Sequence, residues 1–144
     1  MLEEVFLQLY DYGFEKQDLR RIADDNTNMY SVGYDDVKKI LGFLKFKGLE
    51  KKEIIALIND NPFMLTESTK RIRYFEKIYE EELKFTKDEM ISILNSNSEA
   101  YTASPIELEK IINYFKEKGL TIENIKEKII NDPSLISKKL EEIK

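Results

Sequence analysis

Residues 48–65 read Gly48-Leu49-Glu50-Lys51-Lys52-Glu53-Ile54-Ile55-Ala56-Leu57-Ile58-Asn59-Asp60-Asn61-Pro62-Phe63-Met64-Leu65. Counted from Leu49, the apolar residues Ile54, Leu57 and Ile58 sit at offsets 5, 8 and 9, one face of a short helix. Asn61-Pro62 stops that helix, because proline lacks an amide hydrogen and crowds the preceding turn. A second apolar series, Ile72, Phe75 and Tyr79, follows at offsets 23, 26 and 30 and predicts a longer helix. The stretch therefore codes for a short helix, a tight turn and a long helix.

The same unit recurs along the chain. Phe14, Leu49, Phe85 and Leu120 form one column, spaced 35, 36 and 35 residues apart. Five residues on stand Leu19, Ile54, Met90 and Ile125; nine on, Ala23, Ile58, Leu94 and Ile129. Offset 12 holds Asn26, Asn61, Asn97 and Asp132; offset 13 holds Thr27, Pro62, Ser98 and Pro133. Offset 16 holds Tyr30, Leu65, Tyr101 and Ile136, which places Tyr30 and Tyr101 in the core and leaves Tyr34 as a surface aromatic. The long-helix positions recur as Val37, Ile40 and Leu44, and as Leu108, Ile111 and Phe115. One hairpin cannot bury both apolar faces, whereas stacked copies can. The expected fold is all-α: a short α-solenoid, or helical-hairpin repeat array, of about three and a half repeats of roughly 35 residues. It forms a single domain over 1–144, with a capping helix in 1–12, repeats at 13–47, 48–83 and 84–118, and a partial repeat at 119–144.

Local signals agree with this frame. Ser104-Pro105-Ile106-Glu107 offers a serine N-cap, proline in the first turn and a glutamate placed to complete a capping box. Ser68 and Gly33 hold the same offset as Ser104, and Thr86-Lys87-Asp88-Glu89 is a second capping box. Gly48 and Gly119 end long helices by accepting a left-handed backbone.

Composition narrows the chemistry. The chain has neither cysteine nor histidine, so thiolate and imidazole metal sites, disulfides and the commonest neutral-pH general base are excluded. No apolar run reaches the ~20 residues needed to span a bilayer, and the acidic start lacks a signal-peptide pattern. An intracellular, cytoplasmic protein is expected. No cofactor is expected, and no enzyme: the pairs Asp35-Asp36 and Glu141-Glu142 and the run Glu80-Glu81-Glu82 are helix neighbours whose side chains diverge. Asp24-Asp25-Asn26-Thr27-Asn28 followed by Asp35 has oxygens at calcium-loop spacing, but Met29 stands where that loop needs glycine. It is read as a polar turn, and no metal site is assigned.

The repeat resembles that of the mitochondrial transcription termination factor family. The matching pattern is Gly48-Leu49 through Pro62-Phe63-Met64-Leu65 to Ile72 and Phe75, and again Gly119-Leu120 through Asp132-Pro133-Ser134-Leu135-Ile136. The first and third repeats keep the apolar frame and carry Thr27 and Ser98 in place of proline. The resemblance implies a left-handed helical array with a concave face, where many members bind double-stranded nucleic acid through lysine and arginine. Family members are usually longer and basic; this chain has a net charge of −5.

A candidate surface lies on the long helices. Offsets 21, 24, 28 and 31 form a stripe about 130° from the apolar face. It comprises Asp35, Lys38, Gly42 and Lys45; Lys70, Arg73, Lys77 and Glu80; and Ile106, Glu109, Asn113 and Lys116. Six basic and three acidic residues in an acidic chain are a local surplus of the kind a phosphate-facing groove needs. Lys38, Lys45, Lys70, Arg73, Lys77 and Lys116 are the candidate nucleic-acid contacts; a solvated helix face is the competing reading. A protein partner fits the acidic balance equally well. Ile136, Leu140 and Ile143, in the unfinished last repeat, then offer an edge for docking or self-association.

Overall fold

The computed structural model describes residues 2–144, and among them the regular structure is entirely helical. The order is α1 (Leu2–Tyr12), α2 (Lys16–Asp25), α3 (Tyr34–Phe46), α4 (Lys51–Asp60), α5 (Thr69–Glu76), α6 (Lys87–Ser96), α7 (Pro105–Glu117), α8 (Ile122–Asn131) and α9 (Leu140–Ile143). α1 is the lone leading helix, and α2/α3, α4/α5, α6/α7 and α8/α9 are the four helix pairs. The turn inside three of the pairs is itself a 3₁₀ helix, at Thr27–Ser31, Pro62–Thr66 and Pro133–Ser137. None of the described helices is long and apolar enough to cross a membrane.

The chain divides into two compact units, one running to Glu67 and one from Ser68 to Lys144. The division falls inside the second repeat, between its 3₁₀ turn and α5, and so does not follow the repeat boundaries. In the first unit α1 packs on α2 and α3, and α3 covers the 3₁₀ turn Pro62–Thr66. Val5, Leu9, Ile22, Met29, Val37, Leu44 and Ile58 are fully buried there. In the second unit α5 lies beside α7, α6 beside α8, and α7 beside α9. Its core centres on Phe75, Tyr79 and Tyr101, with the two tyrosine rings edge-on at 5.3 Å. Both hydroxyls are satisfied: Tyr79 donates to the Ala100 carbonyl and Tyr101 to the Glu76 carboxylate. Burial, with Glu76 nearby, pushes both hydroxyls well above the ordinary tyrosine value.

Helix ends follow a common rule with one exception. The amides of Phe14, Leu49 and Leu120 donate to carbonyls five residues back, on Leu9, Leu44 and Phe115. The glycine before each takes a positive φ: +130° at Gly13, +107° at Gly48 and +91° at Gly119. In the second repeat Phe85 reaches six back, to Tyr79, at 2.9 Å. The additional residue is absorbed by a π-helical turn, Lys77–Glu82, and Lys84 occupies the glycine position at φ +55°. This accounts for the single 36-residue spacing.

Two expectations are corrected. Tyr30 is not core; it is 62 % exposed. Its 3₁₀ turn points Met29 inward instead, and Tyr30 lies on the rim of a cleft between α1 and α2, whereas the equivalent Leu65 is covered by α3. The Ser104 box is half made. Ser104 Oγ accepts from the Glu107 amide at 3.2 Å, but the Glu107 carboxylate turns to Lys110 Nζ and to the amide of Leu140. The box at Thr86 is complete, with Thr86 N–H on Glu89 Oε1 at 2.8 Å and Glu89 N–H on Thr86 Oγ at 3.2 Å.

Candidate nucleic-acid interface

Each predicted cation stands on the solvent side of a second helix because the opposite side of that helix is apolar. Lys38 and Lys45 lie two turns apart on α3, in the first unit. Lys70 and Arg73 lie on α5 in the second unit, and Lys77 follows as the residue capping it. Among the described residues all five are exposed, and none is held in an ion pair. Lys116, on α7, differs: its ammonium is 3.0 Å from Glu82 Oε1.

The stripe is continuous on α5 only as far as Lys77. The π turn advances each residue by less than the ~100° of an α-helix, so Glu80 slips off the register read from the sequence. Counted back from the helix end, Glu81 takes the place of Lys45 and Lys116. On α7, Glu109 accepts the Tyr74 hydroxyl at 2.8 Å, and this bond with a carboxylate raises the tyrosine's pKa. Among the described stripe residues of the second unit, then, the unpaired cations are Lys70, Arg73 and Lys77. Arg71, on the same helix, is tied to the Ala103 carbonyl at 2.6 Å.

The C-terminal edge is smaller than expected. Ile136 is fully buried, because its 3₁₀ turn packs beneath α6 and α7; Leu140 and Ile143 are half-buried. Asn26, the centre of the calcium-like spacing, is also fully buried and has another task. Its Oδ1 accepts from the Asn28 amide, and its Nδ2 donates to the Pro62 carbonyl at 3.0 Å and to Thr66 Oγ1 at 2.9 Å. Asn97 repeats the arrangement in the second unit, donating to the Pro133 carbonyl at 2.9 Å and to Ser137 Oγ at 3.0 Å. Each of these asparagines clamps the 3₁₀ turn of the following repeat. The readable signal was a hydroxyl column five residues after the asparagine column: Ser31, Thr66, Thr102 and Ser137.

A second inter-repeat contact was also missed. Lys126 on α8 is buried, donates to the Lys84 carbonyl at 2.9 Å and lies 3.3 Å from Glu89 Oε1 on α6. Arg20, at the same offset on α2, is exposed and forms no ion pair among the described residues.

The mTERF family model matches residues 1–144. The chain is similar to the mitochondrial transcription termination factor 3 of Rattus norvegicus, 25 % identical over 96 residues that cover 64 % of this chain and 24 % of the relative. The Mus musculus protein of the same name is 25 % identical over 96 residues, 23 % of its length. The chain thus spans about a quarter of the length of the curated relatives it matches. Their names place those two proteins in mitochondria, whereas the composition of this chain was read as cytoplasmic.

Proposed function

Because the chain belongs to the mTERF family, we propose that it is a non-enzymatic helical-repeat protein that binds double-stranded nucleic acid through its second helices. One observation carries the reading: Lys38, Lys45, Lys70, Arg73 and Lys77 are exposed and unpaired in a chain whose net charge is −5. Unpaired cations on a solvated helix face are available to replace the counterions of a phosphate backbone. Lysine predominates, and it makes few bidentate contacts to base edges, so the binding is largely indifferent to sequence. Lys116 contributes less, since Glu82 must first release it.

A titration of a fluorescent duplex at salt concentrations between about 50 and 200 mM tests this. The affinity is expected to fall steeply. The combined substitutions Lys70→Ala, Arg73→Ala and Lys77→Ala are expected to reduce the slope of log affinity against log salt by about three, one for each lost phosphate contact. Lys116→Ala alone is expected to change the slope little. An affinity that is flat across that salt range sinks the proposal. A second reading, a protein-interaction module acting through the acidic surface or the C-terminal edge, draws support from the half-exposed Leu140 and Ile143.

A further inference from the structure

A cleft of about 650 Å³ opens between α1 and α2 in the first unit. Buried Leu19 and Ala23 line it together with Leu7, Tyr10 and Tyr30, which are 59, 49 and 62 % exposed. Apolar side chains exposed singly are ordinary; a contiguous set around a cleft marks a contact surface. Two acids, Glu3 and Asp24, and two bases, Lys16 and Arg20, complete the lining. None of the four forms an ion pair among the described residues, and the Lys16 ammonium lies 5.9 Å from the Tyr10 ring centre.

The α8 surface in the second unit has the opposite character. At offset 8 the first three repeats bury Ile22, Leu57 and Ile93; the fourth carries Lys128, exposed, with its ammonium 5.4 Å from the Phe115 ring centre. At offset 12 asparagine gives way to Asp132, whose Oδ1 accepts from the Ser134 hydroxyl. An ionised carboxylate cannot donate to the backbone carbonyl that each observed clamp holds. Lys128 and Asp132 therefore oppose stacking another repeat on α8 by the rule that joins α2 to α4 and α6 to α8. That argues against a head-to-tail partner for the α1–α2 cleft.

We propose that the cleft is occupied by a second copy of this chain, α1–α2 face against α1–α2 face about a two-fold axis. A two-fold contact sets one surface against itself. Leu7, Tyr10 and Tyr30 then meet an equally apolar surface, and the rim bases Lys16 and Arg20 can face the acids Glu3 and Asp24 of the other copy. A rim of two acids and two bases complements its own rotated image. Against a phosphate backbone the same acids repel, and a peptide of one charge sign gains on one half of the rim what it loses on the other. This pairing is independent of the nucleic-acid reading.

Sedimentation equilibrium on the whole chain, from about 1 µM to about 1 mM, tests it. The expected result is a monomer–dimer equilibrium with no larger species. Leu7→Glu and Tyr30→Glu change exposed side chains, so the fold survives, as circular dichroism checks; each is expected to weaken dimerisation about 30-fold or more. The double variants Lys16→Glu/Arg20→Glu and Glu3→Lys/Asp24→Lys carry rims of a single sign. Each is expected to be monomeric alone and to form a heterodimer when the two are mixed. A strictly monomeric wild type overturns the proposal, as does a dimer that Leu7→Glu and Tyr30→Glu leave unchanged. Assembly beyond the dimer, or charge-reversed variants that fail to pair on mixing, overturns the two-fold arrangement.

Discussion

In the first unit α3 ends on Gly48; in the second, α5 ends through a π turn on Lys84. The two helices occupy the same place in their repeats, and one inserted residue separates them. The insertion leaves the apolar seam intact: Ile78 and Tyr79, at the start of the π turn, are both buried. Its cost falls on the backbone, where a lysine adopts a conformation that suits glycine. The structure makes use of that strained residue, since the Lys84 carbonyl accepts the buried Lys126 ammonium. Side-chain packing thus sets repeat register, and the chain between packed positions adjusts to it. The units also differ in how they hold the following repeat. The first combines a fully buried Asn26 with an exposed Arg21 that donates to the Asn59 carbonyl at 2.7 Å, and the second combines a partly exposed Asn97 with the buried Lys126 and its partner Glu89.

Three measurements would break or sharpen this comparison. The largest effect is expected at the clamps. Asn26→Ala strands a buried carbonyl and amide and should cost about 2–3 kcal/mol, against about 1–2 kcal/mol for Asn97→Ala, as urea unfolding would report. Equal losses would mean that burial does not distinguish the two clamps. Next come the helix ends, where opposite signs are expected at equivalent positions. Gly48→Ala should destabilise by about 1 kcal/mol or more, and Lys84→Gly should stabilise by up to about 1 kcal/mol, read as shifts of the thermal midpoint. A Lys84→Gly protein less stable than wild type would show that the lysine side chain outweighs the strain.

The smallest effect concerns pH. The Glu89 carboxyl is held below the usual carboxylate range, first by the Thr86 amide and then by Lys126. A carboxyl depressed in the folded state adds stability that is complete above its unfolded pKa and is lost as the pH falls through its folded one. Acid unfolding from about pH 7 to 3 should therefore cost Glu89→Gln less than wild type. Arg20, at the same offset on α2, has no such partner among the described residues, so Arg20→Gln should leave the acid limb unchanged. Parallel acid limbs in wild type and Glu89→Gln would remove the ion pair from the account.

Much of this was legible in the residues. The 35-residue columns, the caps at Ser68, Thr86 and Ser104, and the glycines at 48 and 119 all depend on neighbours within one helix or turn. The choice between a nucleic-acid and a protein partner stayed open in the sequence, because a basic stripe in an acidic chain is compatible with either. What escaped the reading depends on residues about 35 positions apart meeting in space. Asn26 was read as a polar turn because its carbonyl and hydroxyl partners belong to the next repeat. Tyr30 was assigned to the core by analogy with Leu65, although nothing covers it in the same way.

The amino-acid sequence by itself determined that helical hairpins repeat, where the helices after Ser68, Thr86 and Ser104 begin and those before Gly48 and Gly119 end, and which side chains can carry charge into solvent. Helix formation and amphipathic periodicity are properties of neighbours along the chain. Only tertiary structure decided which cations stay unpaired, which tyrosine is covered, and how one additional residue is accommodated. Those outcomes depend on which surfaces of successive repeats touch, and that is set by packing in three dimensions.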